Sequence, residues 1–377
     1  MHQRTKIVSQ KISYQASPSF NQRRMIECLR MGIVPNNCIK EFTFGRDDEI
    51  NFLSKWLNDS SQKQTVFIEA EYGSGKSHLI SWLIEYALSN GYAVGFAELD
   101  PNEAPIQKPK KIYSLLLKSL KVILGDRIHD FFSLMDELSN ADFYFEKNRY
   151  LQAYQRLKHQ FHRTEFDLEG WIVGDSLCKI TPSLYDHATA ANIYCNILSS
   201  ISIALKNELN KKGLLLILDE AENYFSSWVT KQQKDKGLNF LSGLILLSNN
   251  DRRLMKEHLE NDDNRYRGKN TGLLYHARAC DIRYAESLPS YVKLVAAFTE
   301  VVFKENQHFE RLKLKPLSDK AKEKIAKYIF ESYKKAYSID FYPGILSDLL
   351  KKNINVEPTR MFIKSIVEGL DIRRFHQ

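Results

Sequence analysis

The sequence predicts an α/β fold in which a parallel sheet is flanked by helices, and three apolar runs carry this prediction. Residues 65–68 precede a Gly-rich turn and an amphipathic segment over residues 78–88, which gives the order strand, turn, helix. Residues 214–218 are continuously apolar, and residues 291–298 are mostly so. Strands that are buried on both faces of a parallel sheet have this composition.

The Gly-rich turn reads Glu-Ala-Glu-Tyr-Gly-Ser-Gly-Lys-Ser over residues 69–77. Between a strand and a helix, such a turn is typical of a phosphate-binding loop, whose backbone N–H groups surround the phosphates at the helix N-terminus. Lys76 is expected to pair with the β- and γ-phosphate oxygens, and Ser77 to ligate Mg²⁺. The predicted nucleotide-binding residues of this segment are Tyr72, Gly73, Ser74, Gly75, Lys76, Ser77 and His78.

One position departs from the usual G-x-x-x-x-G-K-[ST] pattern, because Ala70 stands where the first glycine is expected. Alanine tolerates a positive φ poorly, so we expect strain or a changed backbone path where the loop begins. The half of the loop that faces the phosphates keeps the pattern. The alternative, a Gly-rich turn that binds nothing, leaves the flanking strand and helix unexplained.

Two acids follow the apolar run at residues 214–218. Asp219 is placed to hold Mg²⁺ at the carboxyl end of a strand, and Glu220 is the candidate catalytic residue that polarises the attacking water. Taken alone, the run is equally compatible with a core strand that has a solvated end. After a phosphate-binding loop it predicts the Walker B strand. Together the two motifs predict an ATP site in a P-loop NTPase of the additional-strand (ASCE) class.

Two further residues are candidates for sensing the γ-phosphate. Thr299 follows the strand expected between the two Walker strands, although an ordinary strand-end threonine is the alternative. Arg360 opens the last helix beside Pro358, and its alternative is a helix-surface arginine. If the chain forms a ring, a neighbouring subunit is expected to supply an arginine finger. Six arginines remain open candidates for this finger: Arg252, Arg253, Arg265, Arg267, Arg278 and Arg283.

Pattern changes along the chain predict three domains. These are a basic N-terminal segment with a helix at residues 1–41, an ATPase core at residues 42–316 and a C-terminal helical lid at residues 317–377. Helical spacing between about residues 125 and 212, including residues 128–135, predicts a helical insertion beside the sheet. Residues 257–270 are charged and turn-rich, which predicts an exposed loop.

Composition indicates a folded protein of the cytoplasm. Of the 377 residues, 43% are apolar and 12% aromatic, which argues against disorder. No apolar run approaches the ~18 residues of a membrane span, and the N-terminus has no apolar signal region. The five cysteines form no C-x-x-C pair, so we expect reduced thiols.

The formal net charge of +8 is concentrated at the two ends of the chain. Residues 1–40 contain seven basic side chains and one acidic, and residues 301–377 contain sixteen basic and ten acidic. The middle of the chain is therefore net negative. Basic ends on a nucleotide-binding core favour contact with a polyanion such as DNA, and solvated Lys-rich helices are the alternative.

Four segments together resemble the BREX-type ATP-binding (BrxD-like) proteins, which are AAA+-like ATPases of prokaryotic anti-phage defence systems. They are Arg-Arg-Met-Ile-Glu-Cys-Leu-Arg-Met-Gly-Ile-Val-Pro at residues 23–35, Phe-Gly-Arg-Asp at 44–47, Glu-Tyr-Gly-Ser-Gly-Lys-Ser at 71–77 and Leu-Asp-Glu at 218–220. The resemblance extends from about residue 20 to residue 371. It implies an AAA+-like fold, ATP and Mg²⁺ as ligands, and a helicase or nuclease of the same defence system as a partner.

The resemblance also implies contacts to the base. In related AAA+ modules a Gly-Arg-acid-acid-Glu turn lies against the adenine, so Phe44, Gly45 and Arg46 are implied near the base and ribose. The alternative is a plain turn before a helix that Asp47 caps.

These observations predict an ATPase that couples its nucleotide cycle to DNA and to a partner enzyme, with homo-oligomers as an open possibility. Two alternatives remain at this stage. One is a nucleotide-gated signalling switch or scaffold with little turnover, which would not require Glu220. The other is a helicase-loader-like ATPase whose basic ends bind DNA.

Overall fold

The computed structural model describes residues 18–35, 38–60, 63–160, 166–185, 191–225, 229–262, 265–301 and 308–376. These residues divide into two compact units. The sheet unit is Arg46–Lys315, and the helical unit comprises the residues up to Gly45 together with those from Pro316 onward. The N-terminal helix and the C-terminal helices thus share one unit, while the domain boundaries expected from the sequence remain a prediction.

The strands of the described residues are β1 (Thr65–Glu69), β2 (Tyr92–Glu98), β3 (Lys121–Leu124), β4 (Arg127–Asp130), β5 (Gly213–Asp219), β6 (Leu259–Asp262), β7 (Arg265–Gly268), β8 (Leu274–Tyr275), β9 (Val292–Phe298) and β10 (Glu310–Lys313). Seven of them form one sheet in the order β10-β1-β9-β5-β2-β3-β4. The five strands from β10 to β2 run parallel. At one edge of the sheet, β3 pairs antiparallel with β2, and β4 pairs antiparallel with β3. Strand β9 lies between β1 and β5, which is the position of the additional strand.

The helices of the described residues are α1 (Pro18–Met31), α2 (Asp47–Asn58), α3 (Lys76–Ser89), α4 (Pro109–Lys118), α5 (Phe131–Asn140), α6 (Arg149–Gln160), α7 (Leu168–Ile172), α8 (Asn192–Asn207), α9 (Lys231–Ser248), α10 (Asp319–Tyr337), α11 (Ile345–Asn353) and α12 (Thr359–Phe375). Within the sheet unit, α3, α4, α8 and α9 pack on strands β2, β5 and β9. The predicted fold class, a mostly parallel sheet flanked by helices with a helical insertion and C-terminal helices, is confirmed.

The apolar runs form the centre of the sheet. Strands β1, β5 and β9 are buried at every position, which explains why their sequences do not alternate between apolar and polar residues. Lys293 in β9 is buried although it is charged, and its ammonium group donates to the carbonyls of Trp56 and Asp59 and to Gln64 Oε1 at 2.6–3.1 Å. Burial lowers the pKa of Lys293 to about 8.

The prediction of a helix over residues 128–135 is wrong in its first part, because residues 127–130 form strand β4. Gly125, with φ +57°, closes the tight turn between β3 and β4. The Asp130 side chain then accepts a hydrogen bond from Ser133 N and caps α5. The cap places the helix start at Phe131, three residues later than the apolar spacing suggests.

The prediction of an exposed loop over residues 257–270 is also wrong. Strands β6, β7 and β8 form a small antiparallel sheet there. Glu257, only 4% exposed, accepts hydrogen bonds from Asn270 N at 2.7 Å and from the Thr271 hydroxyl. These hydrogen bonds allow a carboxylate to be buried in this segment. The segment therefore lacks the apolar pattern by which strands are recognised in a sequence.

The helical unit is a bundle in which α1 packs against α10 and α12. Its core contains apolar residues from all four helices, including Met25, Ile329, Leu349 and Phe362. Arg30 of α1 donates two hydrogen bonds of 2.8 Å to Asp371 of α12, and this pairing lowers the pKa of Asp371 although burial alone would raise it.

All five cysteines are free. In the part of the chain that the structure describes, no helix is both long enough and apolar enough to span a membrane.

Asn249 anchors the start of β1 to the end of α9, and its loss is expected to destabilise the sheet unit. Its side chain accepts from Gln64 N at 3.0 Å and donates to Thr65 Oγ1, Ile245 O and His308 O at 2.7–3.1 Å. We expect Asn249→Ala to lower the free energy of unfolding by about 2 kcal/mol, since several partly buried groups lose this partner.

The matched control is Asn90→Ala. Asn90 is also the residue after a helix, but among the described residues its side-chain amide donates to a single group, Tyr86 O. Urea unfolding followed by circular dichroism compares the two variants. A loss for Asn90→Ala as large as that for Asn249→Ala would contradict the role given to Asn249.

Candidate functional site

The loop between β1 and α3 contains two glycines in the left-handed region and ends at a helix N-terminus. Gly73 and Gly75 have φ of +77° and +102°, values that glycine adopts at little cost, and Gly75 is the residue before α3. The helix begins at Lys76, so the N–H groups of its first turn have no partner within the helix and face the loop. An anion at this end of α3 is stabilised by these donors and by the helix dipole.

The strain expected at Ala70 does not occur. Within the described residues, the non-glycine residues with positive φ are Asp142, Asn210, Glu220, Asn250 and Ser338. Ala70 is buried, and its N–H donates to Phe298 O at 3.0 Å, so the backbone continues the pairing of β1 with β9 for one more residue. An alanine is accepted here because no left-handed conformation is needed.

Arg46 supports the loop from behind. Arg46 is 5% exposed, and its side chain donates to Ser74 O at 2.6 Å, to Lys315 O at 2.6 Å and to Glu49 at 3.1 Å. These contacts fix a carbonyl of the loop. The family resemblance implies a place for Arg46 near the base and ribose, and that role remains a prediction.

Glu69 fixes the other side of the loop. Its carboxylate lies next to Arg311 and 3.2 Å from Lys313 on β10, and it accepts from Val301 N at 3.1 Å. Burial by itself would raise the pKa of Glu69, but the Arg311 and Val301 hydrogen bonds lower it below its ordinary value. The end of β1 is therefore tied to both of its neighbouring strands.

Lys76, Ser77 and Asp219 converge at the carboxyl edge of the sheet. Ser77 Oγ lies 3.4 Å from Asp219 Oδ2, and Lys76 Nζ lies 3.8 Å from Asp219 Oδ1. Burial raises the pKa of Asp219 in spite of the Lys76 charge. A hydroxyl and a carboxylate at this separation fit two oxygen ligands of Mg²⁺, whose remaining positions are usually filled by phosphates and water.

Glu220 lies directly after Asp219 with φ +54°, and its N–H donates to Asp219 Oδ1 at 2.8 Å. Its side chain is exposed, and among the described residues its carboxylate accepts no hydrogen bond. Desolvation raises the pKa of Glu220, and the charges of Glu98 and Asp219 add to this effect. A carboxylate with a raised pKa is a better proton acceptor, which suits the role expected for Glu220.

Glu222 is a site residue that the sequence reasoning missed. It lies on a 3₁₀ turn, Ala221–Phe225, which directs its side chain back to the loop. Lys76 Nζ donates to both of its carboxylate oxygens, and Thr299 donates to it from both its N–H and its hydroxyl. The sequence contained a sign of this, because Glu222 is the third acid in the four residues from Asp219 to Glu222.

The structure brings Thr299 to the site. Three other predicted residues belong to the other compact unit. Phe44, Gly45 and Arg360 belong to the helical unit, where Phe44 contacts the Tyr328 ring and Arg360 lies beside Gly32. Their roles toward a nucleotide remain predictions.

Two loop neighbours complete the predicted set. Tyr72 is 72% exposed. His78 follows Ser77 in α3, and burial together with the Arg46 charge lowers its pKa to about 4, so the imidazole is neutral at pH 7.

The candidate arginine fingers differ in their surroundings. Arg253 is bound to Asp251 through two hydrogen bonds, and Arg283 lies over the Tyr275 ring. Arg252 and Arg278 lie on short 3₁₀ turns, and Arg267 lies on β7. The side chain of Arg265 lies outside the described residues, and the choice among the six stays open.

Residues 18–137 match the family model described as BREX system ATP-binding protein BrxC/D. The resemblance inferred from the sequence is thereby confirmed over this range, which contains the loop and α3. Asp219, Thr299 and Arg360 lie beyond it. A comparison with curated proteins gives no match.

Two solved structures align with most of this chain at low identity and low TM-score. AMPPCP-bound DnaA from Aquifex aeolicus aligns with 88% of this chain and 62% of its own, at 12% identity and a TM-score of 0.35. A Walker-type ATPase of Pyrococcus abyssi aligns with 89% of this chain and 74% of its own, at 12% identity and a TM-score of 0.36. The chain thus spans less than two thirds of the DnaA chain.

Arg46→Ala is expected to weaken nucleotide binding about tenfold, because the Ser74 carbonyl loses a charge-assisted hydrogen bond and the loop loosens. The measurement is the affinity for a fluorescent ATP analogue with Mg²⁺. Lys55→Ala is the control, since Lys55 is exposed on α2, the helix that follows Arg46. Unchanged affinity in a folded Arg46→Ala protein would show that the loop does not depend on Arg46.

Proposed function

We propose that this chain binds ATP with Mg²⁺ at the loop of residues 70–77 and hydrolyses it as the ATP-binding component of an anti-phage defence system. The observation that carries this proposal is the convergence of Lys76 and Ser77 from α3 on Asp219 from β5, at 3.8 and 3.4 Å. The match of residues 18–137 to an ATP-binding family of BREX systems supports both the nucleotide and the biological setting.

Each group at the site has a role in this proposal. The backbone N–H groups of Gly73, Ser74 and Gly75 bind the phosphates together with the N-terminus of α3. Lys76 pairs with the β- and γ-phosphate oxygens. Ser77 and Asp219 supply oxygen ligands to Mg²⁺, which neutralises charge on the phosphates when bound.

Glu220 orients the attacking water and accepts its proton, and the raised pKa favours that transfer. Thr299, at the end of β9, donates its hydroxyl to the γ-phosphate. His78, at the start of α3, contacts the nucleotide as a neutral imidazole. Tyr72 contacts the nucleotide from the outer side of the loop.

Further contacts are proposed from the sequence and the family resemblance. Arg360 senses the γ-phosphate, and Phe44 and Gly45 contact the base and ribose. An arginine from a neighbouring subunit completes the site if the chain forms a homo-oligomer. Five free cysteines suit the reducing cytoplasm, where we propose the protein acts.

DNA is the proposed coupled partner, together with a helicase or nuclease of the same system. Helix α10 carries three exposed lysines in its first three turns, Lys320, Lys324 and Lys327, at spacings that place them on one face. A row of ammonium groups along a helix fits the phosphate backbone of a nucleic acid.

Glu220→Gln is expected to lower the rate of phosphate release by about a hundredfold or more, since the amide cannot accept the proton of water. ATP affinity should remain within about threefold of wild type, because Glu220 is not proposed to bind the ground state. Phosphate release and analogue binding are measured side by side, with the exposed Glu137→Gln as control. Turnover equal to wild type would remove Glu220 from the reaction.

Replacing Lys320, Lys324 and Lys327 by Gln is expected to weaken duplex binding and to flatten its salt dependence. Each lost phosphate contact should reduce the slope of log affinity against log salt by about 0.9. The control replaces Lys55, Lys121 and Lys147, three exposed lysines of the sheet unit. Equal slopes for both triple variants would show that DNA does not use this face.

A further inference from the structure

Glu222 contacts both side chains that are proposed to bind the terminal phosphate of ATP. Lys76 Nζ lies 3.3 and 3.4 Å from its two carboxylate oxygens. The Thr299 hydroxyl donates to Oε1 at 2.5 Å and the Thr299 N–H donates to Oε2 at 3.2 Å. The Glu222 carboxylate is thus bound by an ammonium group, a hydroxyl and a backbone N–H.

These contacts are the ones that a γ-phosphate would make at the same place. A phosphate oxygen and a carboxylate oxygen accept from the same donors, and both groups are anionic. Lys76 and Thr299 cannot satisfy both anions in full, and the two negative charges repel each other at this distance. The charge of Glu222 therefore opposes the arrival of the terminal phosphate.

We propose that Glu222 is a positioning residue that competes with the γ-phosphate for Lys76 and Thr299, so that its side chain must move aside when ATP, but not ADP, binds. The inference rests on the proposed ATP site. ADP keeps its contacts to the loop N–H groups and to Lys76, but it has no phosphate that reaches Thr299. Glu222 thereby makes the site discriminate between the two nucleotides.

The surrounding structure allows the side chain to move while its backbone stays fixed. The Asn223 amide donates to Leu99 O at 2.6 Å, and Tyr224 is completely buried, so the 3₁₀ turn is anchored directly after Glu222. The Glu222 side chain itself is 34% exposed, which leaves solvent on one side into which it can rotate. The movement is therefore a change of side-chain rotamer.

The experiment measures the affinities of fluorescent ATP and ADP analogues with Mg²⁺ for wild type, Glu222→Gln, Glu222→Ala, Thr299→Val and the Glu222→Gln/Thr299→Val double variant. Both Glu222 variants are expected to bind ATP about tenfold more tightly, because a competing charged acceptor is gone. ADP affinity should change by less than about twofold. Glu222→Gln should raise ATP affinity by a smaller factor in the Thr299→Val protein than in wild type, since the two side chains interact directly.

Glu98→Gln is the matched control, because Glu98 is an exposed acid at the carboxyl end of β2, the strand beside β5, and it is assigned no contact to the nucleotide. If it raises ATP affinity as much as Glu222→Gln, the effect is general electrostatics and the inference is overturned. Equal gains for ATP and ADP, or no gain for either Glu222 variant in folded protein, overturn it as well. Wild-type protein that binds neither nucleotide would instead remove the proposed ATP site, and this inference with it.

Discussion

The parallel pairing of β1, β9 and β5 is the constraint on which the site depends. Parallel strands present their carboxyl ends at one edge of a sheet, and ligands of open α/β sheets bind beyond that edge. Glu69 pairs in register with Phe298, and Leu218 with Ala296, so the loop, Thr299 and Asp219 follow three adjacent strand ends. Lys76 and Thr299, which are more than 200 positions apart in the sequence, thereby lie at the same edge of the sheet.

Groups behind the loop keep that arrangement rigid. Arg46 holds the Ser74 carbonyl, and Glu69 joins β1 to β10 and to the backbone after Thr299. Such support matters because phosphoryl transfer depends on positioned charges more than on covalent participation by the protein. The same buried groups explain why polar residues occur in runs that are otherwise apolar.

Much of this arrangement could be predicted from the sequence, because it follows from local patterns. A continuous apolar run predicts a doubly buried strand, and acids after it predict a polar strand end, as at Asp219. What could not be predicted depends on backbone geometry. The 3₁₀ turn that returns Glu222 to the loop, the extended pairing that makes Ala70 acceptable, and the buried carboxylate of Glu257 leave no periodic pattern. Arg46 likewise hydrogen-bonds to backbone, which a sequence motif does not reveal.

The central claim is that Lys76, Ser77 and Asp219 form a site for Mg·ATP, and calorimetric titration of ATP tests it most directly. Wild-type protein is predicted to bind ATP with an affinity that Mg²⁺ strengthens. Lys76→Ala, in folded protein, should lose about a hundredfold in affinity through its missing charge-assisted hydrogen bonds. Absence of binding to wild type at millimolar Mg²⁺, or equal affinity for the two proteins, would contradict the account.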